Sequence, residues 1–321
     1  MTHRERFIKT LRREPVPGLV PTFELVFFLT MEAFGRLHPS QRRYDQWKQM
    51  SPEERALHLD DQAELYLMTA RRYGHSAIFL HPNPRDFDET VRLAQCIREK
   101  SGDKYFLMLD RDPTFSMPSG KDMMAFTERL YEDRAGLHEH AKRRMADCIG
   151  FAQKMQGMGL IDGFAMCADY CFNVNPFFSQ EMFADLIAPY LKETIAAYHE
   201  MGYYAIKHTD GNIMPIIDQL VACGPDALHS LDPQGGVDLA QVSRGWGDKV
   251  ALCGNVNCAL LQTGSLEQCD ADIRRSLREG MARGAGYIFC TSNCAYTGLP
   301  LARYERMIRI WREEGAYAHP A

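Results

Sequence analysis

Residues 203–221, YYAIKHTDGNIMPIIDQLV, hold the junction whose reading decides the fold. A short apolar run, Tyr203, Tyr204, Ala205 and Ile206, has the length and composition of a buried strand. Past the turn, Ile213, Ile216, Ile217, Leu220 and Val221 recur at helical spacing and form one apolar face. This order puts His208 and Asp210 at a strand's carboxyl end, beside a helix N-terminus. Imidazole and carboxylate in such a place bind a metal, move a proton or hold a polar ligand. The plainer reading of the same residues is that Asp210 or Asn212 caps the helix and Gly211 makes the turn.

Seven similar junctions surround this one. Candidate strands lie at 19–24, 76–80, 104–109, 161–167, 203–207, 226–231, 249–254 and 286–290. Helical patterns alternate with them, at 28–38, 52–73, 88–100, 122–132, 136–157, 179–201, 212–223, 265–283 and 301–314. Ser179 and Ser265 are good helix starts, and Gly202 and Gly284 good stops. Such alternation implies a parallel sheet with helical crossovers. Eight units closing on themselves predict an α/β fold of the TIM (β/α)8 barrel type with extra N-terminal helices, one domain over 1–321. A doubly wound sheet would carry a glycine-rich phosphate turn after its first strand, where this chain has FELVFF.

In a barrel the active site lies at the carboxyl ends of the strands. The polar residues there are Glu24, His81, Asp110 with Asp112, Asp169, His208 with Asp210, His229 with Asp232, Asn255 with Asn257, and Asn293 with Cys294. This set, rich in carboxylate and imidazole and poor in cations, suits a metal or a polar neutral ligand. Asn255, Asn257 and His229 either donate to a ligand or satisfy backbone groups. Tyr170 belongs to an aromatic cluster with Phe172, Phe177 and Phe178 that packs a loop or walls an apolar pocket.

Composition narrows the class. With 321 residues, 45% hydrophobic and 25% charged, the chain has the make-up of a soluble globular protein. Its net charge of -5 points away from nucleic acid and from anionic membrane surfaces as partners. The start, MTHRERFIKTLRREPVPG, lacks the apolar core of a signal peptide, so the expected location is cytoplasmic. Ten cysteines without a C-x-x-C pair read as free thiols, most of them buried.

At these residues the chain resembles the uroporphyrinogen decarboxylase superfamily, including the corrinoid-linked methyltransferases that share its barrel. The resemblance is carried by RERFIKTL, PTFELVF, ADYCFNVNPFFSQEMFADLIAPYLKETI, KHTDGNIMPIIDQL, LHSLDPQGGVDLAQV, GNVNCALLQTGSLEQC and GYIFCTSNCAYTGLPLARYERMI. It implies a TIM barrel. The true decarboxylase follows its first strand with arginines that hold substrate carboxylates; here the segment reads FELVFFLTMEAFGRL, with Arg36 alone and too far along. The family's aspartate after the second strand is replaced in FLHPNP, which offers His81.

The zinc-dependent methyltransferases carry a His-x-Cys after the fifth strand and one Cys after the eighth. Here His208 matches the histidine, Cys294 the distal cysteine, and Asp210 stands where the intervening cysteine would be. The resemblance therefore implies a zinc held by His208 and Cys294, with Asp210 in the place of the second cysteine. Glu24, from the first strand, is a candidate for a further oxygen ligand, and Asp169, after the fourth, either orients substrate or caps and bonds its loop. The implied activity is transfer of a methyl group between a small-molecule donor or acceptor and a corrinoid. No D-x-H-x-x-G segment of the cobalamin-binding kind is present, so the corrinoid is expected on a partner protein. Two other readings stand beside it. One is a metal-free decarboxylase acting on uroporphyrinogen or a smaller carboxylate through Asp169, Asp210 and His81; the other is a non-catalytic ligand-binding barrel.

Overall fold

The computed structural model describes residues 1–317. Seven strands form one parallel sheet in chain order. They are β1 (Ala77–Leu80), β2 (Phe106–Asp110), β3 (Gly163–Cys167), β4 (Tyr204–His208), β5 (Ala227–His229), β6 (Ala251–Cys253) and β7 (Tyr287–Ile288). Helices connect them, as the alternation predicts. Runs such as AIFL and FLML are apolar throughout because each strand is covered on both faces.

One expected strand is corrected. Segment 19–24 is not a strand; it is joined to the rest by isolated bridges, among them Thr22 to Phe289 in parallel. Pro21 explains this, since it has no N–H to give to a ladder. The segment nevertheless touches both edges of the sheet. The carbonyl of Thr22 accepts from Ser76 N at 2.6 Å, just before β1, and that of Pro21 from Phe289 N at 2.9 Å, just after β7. The sheet is therefore curled.

Alternation of side chains along the strands divides the core in two. Inward-facing residues form a small cluster: Phe79, Phe106 and Met108 from β1 and β2 oppose the small Ala165, Ala227 and Ala251 from β3, β5 and β6. Outward-facing residues join the helices in a much larger cluster. Large and small side chains thus share the interior, as in the layered core of a barrel.

Three helices precede or follow the entry segment before β1: His3–Leu11, Thr30–Phe34 and Pro52–Tyr73. The first and third start with full capping boxes, Thr2 with Glu5 and Ser51 with Glu54. Helix His3–Leu11 pushes Phe7 against Phe106 and Phe23, at ring distances of 4.8 and 5.6 Å. Arg4 anchors it to Asp162 at 2.7 Å, just before β3. This plugs the amino-terminal end of the curl and leaves the carboxyl ends of the strands as the open face.

Gly163 shows how tight the interior is. A Cβ there would lie 2.3 Å from the Tyr204 carbonyl oxygen, a ladder atom of the neighbouring strand. Gly163→Ala is expected to destabilise the chain by about 1–3 kcal/mol, as overpacking does. Urea unfolding of the two proteins measures it.

Candidate functional site

The ends of β3, β4 and β5 lie side by side, with Cys167 in register with His208 and His208 with His229. Because alternate residues share a face, His208 follows Ile206 toward the interior, while Lys207 faces the helices. The chain continues extended past each strand, so Asp169 and Asp210 come in above Cys167 and His208.

Asp169, His208 and Asp210 converge, with one ligand atom of each within 4.8 Å of the others. The Nε2 of His208 lies 3.7 Å from Asp169 Oδ1 and 3.9 Å from Asp210 Oδ1. Its other nitrogen, Nδ1, is 2.8 Å from His229 Nδ1, so a single proton is shared along that line. Asp210 is gripped on three sides. Its N–H donates to Asp169 Oδ1 at 3.0 Å, Ser230 Oγ donates to its Oδ1 at 2.6 Å, and Asn293 Nδ2 donates to its Oδ2. Asp169 is the most open of the three, its side chain 41% exposed.

Burial sets the protonation of the cluster. It pushes His208 down to about 4 against the pull of the Asp169 charge, so the ring is neutral near pH 7. It pushes Asp210 up to about 7, with the Ser230 hydrogen bond opposing and the Asp169 charge adding. His229 is lowered well below the ordinary value by burial and then by His208. Its Nε2 is buried without a partner.

Beneath the cluster lies a group that reading along the chain passes over. Lys207 is fully buried in β4; its ammonium donates to Asp112 Oδ2 at 2.7 Å and to the carbonyls of Met166 and Ala168 at 3.1 Å each. It also sits 4.4 Å from the centre of the Tyr170 ring. Burial alone would raise Asp112, but the Lys207 charge and the Thr114 hydrogen bonds hold it below the usual carboxylate range. Thr114 bonds Tyr170 OH at 2.6 Å, and Tyr170 N donates to Thr209 Oγ1 at 3.1 Å. The signal was available: a lysine inside an otherwise apolar buried strand requires an acidic partner.

The remaining sequence-predicted residues are not among the three converging groups. Glu24 is buried and accepts from Thr291 Oγ1 at 2.5 Å; burial raises it to about 8. His81 packs on Phe79, at 4.4 Å between rings, and burial followed by the Arg85 charge lowers it to about 4. Cys294 is outside the converging set, and burial with the neighbouring Cys258 pushes its thiol up to about 12. Asn255 spends its amide on the Leu231 carbonyl and on Arg275, while Asn257 caps the helix Cys258–Thr263. Tyr170 is sealed in the Lys207 network rather than facing the cluster. Asn212 takes the turn role, accepting from Met214 N at 3.2 Å.

A family model for uroporphyrinogen decarboxylase (URO-D) matches residues 115–314. Among solved structures, a methyltransferase from Methanosarcina mazei superposes with a TM-score of 0.72 at 18% identity, covering 98% of this chain and 99% of that one. A GH5_18 structure from Streptomyces cattleya in complex with GlcNAc has a TM-score of 0.50 at 12% identity, over 94% of this chain and 82% of that one. At these identities the likeness concerns the fold alone. No curated protein sequence matches the chain. No helix among the described residues is long and apolar enough to cross a membrane.

Two outcomes follow from the buried charges. Lys207→Met strands the Asp112 carboxylate and is expected to cost about 3–5 kcal/mol in urea unfolding, part of which Asp112→Asn in the same chain restores. For Glu24, the folded chain keeps a proton up to about pH 8 that an unfolded carboxyl with its ordinary value of 4.5 releases. The contribution of this group to stability therefore falls as pH rises through that window. Glu24→Gln flattens the fall, as thermal unfolding at a series of pH values reads out.

Proposed function

The chain belongs to the uroporphyrinogen decarboxylase family, and from that premise we propose that it is a metal-assisted methyltransferase. It moves a methyl group between a small molecule and a corrinoid carried by a partner protein. The observation that carries this reading is the convergence of Asp169, His208 and Asp210 on one point at the strand ends. The fold likeness to the Methanosarcina mazei methyltransferase supports it. So does the loop after β7, whose Asn293 bonds Asp210 beside Cys294. We also read segment 19–24 as the eighth stave that completes a TIM barrel.

The residues fit a divalent metal. One imidazole nitrogen faces two carboxylate oxygens, and the nearest ammonium, Lys207, is engaged by Asp112. Two oxygens and a nitrogen form a harder donor set than the His/Cys/Cys expected of the methyltransferases, and suit zinc, manganese or cobalt. The inferred ligands are Asp169, His208 and Asp210, with Cys294 moved outside the set. When bound, such a metal polarises the atom that gives or takes the methyl group.

The protein's own groups prepare that chemistry. His229 holds the His208 ring and settles which nitrogen carries the proton, leaving Nε2 bare when His208 donates through Nδ1. Ser230 and Asn293 keep the Asp210 carboxylate aimed. Asp169, the most exposed member, meets the incoming molecule and takes or returns a proton at its free oxygen.

Titration of chelator-treated protein with Zn²⁺, Mn²⁺ and Co²⁺ by calorimetry tests the reading. The expected result is one tight site, lost in His208→Ala and weakened about 10–100-fold in His229→Gln, as for other residues that orient a ligand. Absence of binding at micromolar metal sinks the metal mechanism. It would leave the same three groups as a proton-transfer set for a lyase, which a decarboxylation assay then examines.

A further inference from the structure

A pocket opens at the carboxyl ends of β1 and β2, on the strands next to those that carry the cluster. Its walls include His81, Arg85, Thr90, Asp110, Arg111 and Phe151. Two arginines in one small pocket ordinarily meet carboxylates of the protein, and here the nearby ones are engaged. Asp112 is held by Lys207 at 2.7 Å, and Glu89, which does not line the pocket, meets Arg92 at 2.8 Å through Oε1 while its Oε2 is buried without a partner. Asp86 accepts from Glu89 N as the cap of the helix Phe87–Ser101. Among the described residues neither Arg85 nor Arg111 makes an ion pair, although lysines and arginines make such pairs throughout the rest of the chain.

Arg111 is set in place for a ligand. Its guanidinium lies over the Phe151 ring, 3.8 Å from the centroid, and its Nε is buried without a partner. A stacked guanidinium has lost its freedom in advance and keeps its edge for a planar anion. His81 adds a second buried polar atom without a partner, its Nδ1. A buried donor left unsatisfied costs free energy unless something binds it. Arg85 is exposed at the mouth, where its charge acts on both His81 and Asp110.

We propose that this pocket binds the carboxylate of a small organic acid, with Arg85 and Arg111 clasping the anion and His81 bonding it from the wall. The charge count favours a monoanion. Two guanidinium groups face one carboxylate, Asp110, which leaves a single positive charge to be neutralised; a phosphate dianion would overshoot. Asp110 also marks the path to the cluster. It accepts from Cys167 N at 3.4 Å, and Cys167 stands beside His208 in the sheet. β2 and β4 are two strand spacings apart, roughly 10 Å, so a short acid held by its carboxylate reaches the converging residues with its other end. Identifying that acid as the substrate rests on the methyl-transfer reading, whereas its binding does not.

The test is calorimetric or NMR titration of the full chain with butyrate and benzoate, alongside butyramide and inorganic phosphate. Butyrate or benzoate is expected to bind at millimolar concentration and butyramide not to. Arg85→Met and Arg111→Met each weaken binding about tenfold or more, as loss of a hydrogen bond to a charged group does. Arg111→Lys, which keeps the charge but not the planar fork, falls between. Arg85 is exposed, so its variant keeps the fold, and thermal unfolding checks both. Carboxylate binding that is absent at tens of millimolar, or unchanged in both variants, overturns the proposal. Tighter binding of phosphate through the same arginines overturns it too. Metal uptake measured in parallel reports on the neighbouring cluster alone, so failure of one reading is visible apart from failure of the other.

Discussion

The ammonium of Lys207, closed off from water between the sheet and its helices, sets the terms for everything above it. A charge in that position is tolerated only when all its N–H groups are taken, and here they bind one carboxylate and two carbonyls. Those acceptors come from the chain after β2 and from the end of β3, so a single side chain of β4 pins three consecutive strand ends together. Asp169 follows Ala168, whose carbonyl is one of the three. The open carboxylate of the cluster is thereby held by a bond made on the opposite face of the strand.

The two sides of the open face have opposite electrostatic character. Above β3, β4 and β5, two carboxylates and two imidazoles are crowded together, and burial keeps both rings neutral while lifting Asp210 toward neutrality. Above β1 and β2, two guanidinium groups face one carboxylate. A molecule with an anionic head and a neutral reacting end matches this division. At the far end Phe7 packs against Phe23 and Phe106.

How much was legible can be judged from particular residues. His208 and Asp210 were readable because strand, turn and helix signals follow one another within nineteen residues. Seven of the eight expected strands sit where the apolar runs lie, and the first, 19–24, makes only isolated bridges around Pro21, a residue whose meaning is local and visible. Asp169 was named, but its meeting with His208 depends on the registration of β3 with β4. Cys294 matched a family pattern and Glu24 was a strand-end carboxylate, yet neither is among the three converging groups. Neither their loops nor their burial follows from spacing along the chain. Asn255 and Asn257 look like any polar strand-end residues until their partners, Leu231, Arg275 and the next helix, are seen. The face was read as poor in cations because Arg85 and Arg111 lie in loops, where an arginine is usually solvated.

By itself the sequence determined the alternation of strand and helix, the family, and the strand ends at which the polar side chains gather. Those properties are written in periods of two and 3.6 residues and in contiguous motifs, which a linear reading recovers. Only the tertiary structure decided which carboxylates meet His208, which way each ring nitrogen points, and that Lys207 and the two arginines are respectively satisfied and free. These are facts about pairs distant in sequence. Their energies depend on separation and burial, and both are created by the packing of strands against strands.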